Sequence, residues 1–315
     1  MAVILQTMLF KDILDTKTQK LQSEFDKLFK DILNNQTHDG DLLLIRVNGF
    51  YNSEVHTWDN IENKNPYMIG PNTEGHSDLW HYKFIHNYRK SSISNLTYAE
   101  YLEKHNWSEE KAKKISNLTK TESMSIQLEM LIYLKIWEAD LFIKKLYQLT
   151  NLSQGEPYDW HFKIAESNRD NEVTTGKREE IIRKKIRERL KTNYPIIYSA
   201  IKNAYKTQVR NSIGHSTYYF AGRFIHLNNY VKTDLAAQIE VLSFNEWVNM
   251  FHDTMVIYNQ LIRFSHLIDN LYSKAAHSNN LLFQVRLNRR DPSEKTEYYL
   301  LKYRPEWNDW GFNKE

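Results

Sequence analysis

The chain has 315 residues, about twice the ~150-residue prior for one domain, so one large domain or two modest ones fit and a small stapled scaffold does not. Lys and Arg number 42 against 39 Asp and Glu, a formal charge of +3, which excludes a grossly basic nucleic-acid coat or an acidic tail and leaves any nucleic-acid site to a local patch. The absence of cysteine excludes disulfides, thiolate zinc sites and cysteine nucleophiles and fits a reducing cytoplasm; 9 Gly and 6 Pro, roughly 5% of the chain against a usual ~12%, point to a mainly α protein.

Met1 to Phe10 (MAVILQTMLF) has the apolar character of a signal peptide's centre. It lacks a basic leader and a small-residue cleavage site, and Lys11 and Asp12 end it well short of the ~18 apolar residues of a membrane span. The expectation is a cytoplasmic protein with no targeting segment and no membrane contact. From Leu9 to Leu33, the residues Leu14, Leu21, Phe25, Leu28 and Ile32 form a seam along one helix face, the pattern of a helix packed on the body of the protein. Leu42 to Val47 (LLLIRV), followed by Asn48-Gly49, predicts a strand and a turn. Gly49, Pro66, Gly70, Pro71 and Gly75 make residues 48 to 95 the least regular part of an α+β region expected over 1–120.

Two capping boxes follow, Thr97 with Glu100 and Thr119 with Glu122, each a hydroxyl and a carboxylate placed to satisfy the free amides of a helix start. The second is expected to open a helix running to Leu149, on which Leu131, Leu134, Ile136, Trp137, Leu141, Ile143 and Leu146 wrap more than one face, as in a buried bundle helix. After a polar loop with Gly155, Pro157 and Gly176, residues 177–191 (KREEIIRKKIRERLK) carry eight basic and three acidic side chains, a local +5. Pro195 suits the first turn of a helix running to about Ile213, with Ile197, Ile201, Tyr205, Val209 and Ile213 every fourth residue. Thr217 to Leu227 predicts a hairpin turning at Ala221-Gly222. A third capping box, Ser243 with Glu246, opens a last long helix with Trp247, Phe251, Met255, Tyr258 and Ile262 on one face. Leu281 to Tyr303 predicts a second hairpin around Asp291-Pro292 within a tail over 276–315. The fold class expected is mainly α, a helical bundle with small β-hairpin insertions.

The helix from Pro195 ends in Val209-Arg210-Asn211-Ser212-Ile213-Gly214-His215. Arg-Asn followed by three residues and His resembles the R-x4-6-H motif of the HEPN superfamily, the higher eukaryote and prokaryote nucleotide-binding domains. The resemblance covers roughly residues 121–275 and rests on this motif, its Asn after Arg, and its position at the end of an amphipathic helix between other bundle helices. It implies an α-helical bundle, a homodimer whose two motif helices meet, and a metal-independent endoribonuclease of phage defence or a toxin-like system, with an antitoxin or phage trigger as a further partner. The resemblance then implies that the RNA 2′-hydroxyl attacks the adjacent phosphate while His215 of the two copies serve as base and acid, Arg210 neutralises the phosphoryl oxygens, and Asn211 orients His215 or binds phosphate. No cofactor is implied. A non-catalytic module of the same family, binding RNA, a nucleotide or a protein, is the alternative. The sequence departs from one subgroup, the toxins paired with a minimal nucleotidyltransferase, which carry Tyr two residues after the His; here that position is Thr217, followed by Tyr218 and Tyr219.

On an ideal helix Asn211 and His215 share a face, whereas Arg210 lies about 140° from His215, so its long side chain must swing round, with Gly214 loosening the last turn. Glu138 and Asp140 are candidate acidic partners of the site, against a surface or salt-bridging role. Arg183, Lys184 and Arg187 in the +5 stretch are candidate RNA contacts, against a merely solvated helix face. His76, His81 and His86, near Glu74 and Asp78, have a spacing that neither a helix nor a strand turns into a ligand set, so no metal is expected. Among the Trp and Tyr residues, those at helical spacing such as Trp137 and Trp247 read as core.

Overall fold

A computed structural model describes residues 8–57, 59, 66–70, 77–165, 176–234, 236–287 and 296–313. In chain order come β1 (Leu9–Phe10), α1 (Lys11–Asn35), α2 (Asp41–Val47), β2 (Phe50–Tyr51), β3 (Tyr67–Met68), α3 (Asp78–Ser91), β4 (Ile93–Ser94) and α4 (Tyr98–Glu103). There follow α5 (Ala112–Trp137), α6 (Asp140–Ser153) and α7 (Lys177–Glu180), which runs through a π-helical stretch, Ile181–Arg187, into α8 (Glu188–Leu190). The rest comprises α9 (Pro195–Ala204), α10 (Thr207–Gly214), β5 (Tyr218–Ala221), β6 (Phe224–Leu227), β7 (Val241–Ser243), α11 (Phe244–His277), β8 (Leu282–Leu287), β9 (Glu297–Arg304) and β10 (Asp309–Phe312). The chain is mainly helical with small sheets, and among the described residues no helix is long and apolar enough to cross a membrane. Two compact units are present, one of Met1–Ser23, Trp80–Ala139 and Pro195–Asn259, the other of Glu24–Leu79, Asp140–Tyr194 and Gln260–Glu315. Neither residue 120 nor residue 275 divides them, because each unit gathers three separate stretches.

In the first unit, β1 pairs in parallel with β4, and β5, β6 and β7 form an antiparallel sheet. The apolar stripe predicted from Pro195 is buried along its whole length at Ile197, Ile201, Tyr205, Val209 and Ile213. It sits on two helices, however, because the backbone extends at Lys206 (φ −126°, ψ 113°) and restarts α10 there, with the Lys206 N–H 3.3 Å from the Tyr133 hydroxyl. The helix expected to Leu149 is likewise two: α5 ends at Trp137 and α6 starts at Asp140. The apolar positions that wrap several faces thus belong to two separate helices, and Leu131 is exposed on α5. Thr119 and Glu122 do not start α5, which begins seven residues earlier, at Ala112. The Thr97–Glu100 and Ser243–Glu246 boxes both form, with reciprocal side-chain bonds at α4 and α11.

Trp137, Tyr133, Trp247 and Phe251 fill the centre of this unit, and two buried titratable groups are set among them. Glu129 accepts from Met8 N–H at 3.0 Å, Tyr88 hydroxyl at 3.1 Å and Trp247 Nε1–H at 2.8 Å. Burial pushes its carboxyl up to about 8, with the three donors opposing. His252 accepts from Phe10 N–H at its Nε2 (2.9 Å) and meets Val248 O at its Nδ1 (2.7 Å), the pattern of a neutral ring, and burial takes it down to about 4. The two act oppositely on stability. Folded Glu129 keeps a proton that the unfolded chain releases above about 4.3, so its contribution is lost as pH rises to about 8. Folded His252 refuses a proton that the unfolded chain takes up below about 6.5, so its contribution is lost as pH falls toward about 4. In urea unfolding the Glu129→Gln variant is therefore expected to gain on the wild type as pH rises from 5 to 8, by at most about 1.4 kcal/mol per pH unit. A difference that is flat with pH overturns this.

The second unit is built on α2, α6 and the α7–α8 stretch with the β8–β9–β10 sheet. Residues Leu42 to Val47 form helix α2, not the expected strand; Leu42, Leu43 and Leu44 are all fully buried, and an apolar run buried on every side carries no period to tell helix from strand. Asn48, in the left-handed region at φ 51°, ends α2, and Gly49 lies against the Trp160 ring, which a Cβ would meet at 2.7 Å. Of the α1 seam, Phe25, Leu28 and Ile32 are buried in this unit and Leu14 and Leu21 in the first. The C-terminal hairpin forms as β8 and β9, antiparallel with Leu287 opposite Glu297, and β10 extends it; Asp291-Pro292 lies outside the described residues.

Candidate functional site

Arg210, Asn211 and His215 lie on α10 in the first unit. The helix ends in two nested turns: Thr217 N–H reaches Ser212 O at 2.9 Å, Ser216 N–H reaches Ile213 O at 3.2 Å, and Ser216 takes the left-handed conformation at φ 55°. The Ser212 hydroxyl also donates to Thr217 O at 2.6 Å. His215 thus sits as the helix cap, its N–H bonded to Asn211 O at 2.9 Å and its side chain exposed. Neither the His215 ring nor the half-buried Asn211 amide has a side-chain hydrogen bond or ion pair among the described residues.

Gly214 does not loosen the last turn. Its φ is not positive, the last turn closes normally with the His215 N–H on Asn211 O, and a Cβ there would meet nothing within 4 Å. Gly214→Ala is accordingly expected to stabilise the protein by about 0.5–1 kcal/mol, read from thermal unfolding, because alanine restricts the unfolded chain at no cost in the fold.

Arg210 pairs with an acidic residue: its Nε lies 3.0 Å from Glu138 Oε1, at the end of α5. Asp140 belongs to the other unit, where Arg178 holds it. Of the two candidate acidic residues the structure brings only Glu138 to the motif. Arg183, Lys184 and Arg187 also lie in the second unit, and their charge is largely answered there: Arg183 is 3.9 Å from Glu179, Lys184 is 3.3 Å from Glu180, and Arg187 is 2.7 Å from Glu188. His81 Nδ1 lies 2.8 Å from Lys135 Nζ, and His86 stacks on Tyr82; among the described residues no group of His, Asp and Glu is placed to hold a metal. His76 and Glu74 lie outside the described residues.

Sequence reasoning misses a buried charge cluster elsewhere in the same unit. Arg223, in the turn between β5 and β6, grips the fully buried Glu122 of α5, with Nε 3.0 and 3.2 Å from the two oxygens and Nη2 2.6 Å from Oε1. His105 Nε2 stands 3.6 Å from Glu122 Oε2, and burial holds its ring below the usual imidazole range, with Glu122 opposing and Arg223 adding to the fall. Burial pushes the neighbouring Tyr101 hydroxyl up, and Glu122 adds to the rise. The pairing joins residues 101 apart, and no local signal announces it; spacing alone assigns Glu122 to a helix start with Thr119. A cleft of about 710 Å³ in the same unit, lined by Lys17, Lys20, Asn203 and Asp253, includes none of the motif residues, and its Asp253 is already held by Lys17 at 2.7 Å.

No protein-family model, curated protein or solved structure matches the chain.

Proposed function

We propose that this chain is a HEPN-type endoribonuclease that cuts RNA without a metal, at a site completed by a second copy of itself, and serves in phage defence or a toxin-like system in the cytoplasm. The observation that carries the reading is the exposed end of α10, where, among the described residues, no side chain bonds to those of His215 and Asn211, while Arg210 is paired with Glu138. Two copies facing each other there assemble two imidazoles and two guanidinium groups around one phosphodiester. One His215 takes the 2′ proton as the 2′ oxygen attacks phosphorus; its counterpart protonates the departing 5′ oxygen. Arg210 neutralises the charge that grows on the phosphoryl oxygens.

The second reading, a HEPN module that binds without cutting, is favoured by the Arg210–Glu138 pair, which occupies the guanidinium. Incubation of the purified protein with RNA in excess chelator separates the two. Cleavage that leaves 2′,3′-cyclic phosphate ends is expected from the wild type and not from His215→Ala or Arg210→Ala. Intact RNA with the wild type, in a preparation that is also non-toxic in cells, or equal cutting by both variants, rules the nuclease out.

A further inference from the structure

Three residues beyond His215 the chain enters the β5–β6–β7 sheet, whose two faces differ. Register sets Tyr219 opposite His226 and Ala221 opposite Phe224, with Val241 beside His226, so these residues share one face. The other face holds Ile225, Leu227 and Leu242, all buried. On the outward face Tyr219 is 50% and Phe224 49% exposed, and the rings of Tyr219 and His226 stack with centroids 4.7 Å apart and planes 9° from parallel. We propose that this face is a platform on which unpaired bases of single-stranded RNA stack, feeding the strand to His215.

Three observations select that ligand. The first is ring chemistry: flat, half-exposed aromatic faces already stacked in a sheet take up any base without reading its edge. The second is charge. From Arg189 to Thr233 the sequence contains no Asp or Glu, while Lys202, Lys206, Arg210, Arg223 and Lys232 lie in the part belonging to this unit. Between Arg189 and Thr233 the formal charge is therefore positive throughout, which draws a polyanion, and Asp234 and Glu240 come only in the loop into β7. The third is rigidity. The Gly222-Arg223 turn, with Gly222 at φ 57°, is nailed to α5 by the Arg223–Glu122 pair, and the Ser212–Thr217 bonds fix the approach from α10, so little ordering is left to oppose binding. Tyr219 is four residues from His215, a span of at most about 14 Å, or roughly four stacked nucleotides at ~3.4 Å each.

The choice of RNA as ligand rests on the nuclease reading of His215, and the test keeps the two apart. Full-length protein is titrated into a fluorescein-labelled, fully 2′-O-methylated single strand, which cannot be cut, and anisotropy is recorded. Tyr219→Ala and Phe224→Ala are each expected to weaken binding about 5- to 100-fold, Tyr219→Trp to retain it, and an abasic strand of equal charge to bind the wild type as poorly as the variants bind the normal strand. Both alanine positions are half exposed, and unchanged melting temperatures check that the fold is kept. No binding by the wild type, equal binding by the alanine variants, or equal binding of the abasic strand overturns the platform. So does a change of oligomeric state in the variants with RNA affinity unaltered, which marks the face as a contact between copies. If the variants lose binding while the wild type cuts no RNA, the nuclease reading falls and the platform stands; if Tyr219→Ala cuts with unaltered kcat/KM, the platform falls and the nuclease stands.

Discussion

Replacing His215 by alanine is expected to lower the single-turnover rate of RNA cleavage by about 10²–10⁴-fold, the usual contribution of a positioned general acid or base and equivalent to about 2.7–5.5 kcal/mol of barrier. The loss is chemical and not structural, because the ring is exposed and bonded to nothing else among the described residues; stability is expected to stay within about 0.5 kcal/mol of the wild type. A site shared by two copies makes a second demand. If one His215 is the base and its counterpart the acid, a dimer holding one variant chain lacks one of the two, so activity in mixtures should fall as the square of the wild-type fraction. A linear fall means that each chain carries a whole site, and no fall in the variant alone removes His215 from the chemistry.

The Arg210–Glu138 pair does not stand in the way of this mechanism. Glu138 is 40% exposed and Arg210 18%, so solvent reaches the carboxylate side of the pair and weakens it. A phosphodiester offers the guanidinium a two-pronged, charge-assisted contact about twice as strong as a neutral hydrogen bond. On the nuclease reading, Arg210 is held near the end of α10 by a tether that an RNA phosphate would displace as the guanidinium swings toward His215.

What the sequence reveals and what it hides follow from how far each signal reaches along the chain. Periodic burial is local, so the α1 seam and the stripe from Ile197 to Ile213 are legible residue by residue, and so is the turn at Gly222. Interruptions of one or two residues are not: Glu138-Ala139 and Tyr205-Lys206 keep the apolar period alive while ending a helix, and only packing decides them. Leu42–Val47 fails for the opposite reason, having no period at all. At the candidate site, residue types and spacing single out Arg210, Asn211 and His215, but the partner of Arg210, chosen from Glu138 and Asp140, depends on where α5 stops. The outward aromatic face was readable in principle, since alternation from Tyr219 and a two-residue turn after Ala221 place Phe224 and His226 beside it. The Glu122–Arg223 pair was not, because it is a contact between distant segments made by residues that are ordinary in their own surroundings.

That pair carries the largest structural effect expected. Arg223→Ala leaves the Glu122 carboxylate, wholly inaccessible to water, without its cation, and His105 at 3.6 Å is held toward its neutral form by burial and supplies little compensation. Breaking a buried pair from one side costs about 3–5 kcal/mol, which is a large fraction of the ~5–15 kcal/mol that stabilises an ordinary domain. The cost is chiefly that of the stranded charge, not of the lost attraction, so removing both partners should be far milder. Urea unfolding is therefore expected to show the single variant losing about 3–5 kcal/mol and the double variant Glu122→Leu, Arg223→Met recovering most of it. Equal losses in the two would mean that the contact itself stabilises the fold. Recovery in the double variant would mean that the pair serves to hold the β5–β6 turn against α5, and with it the sheet that follows His215, at little net gain in stability.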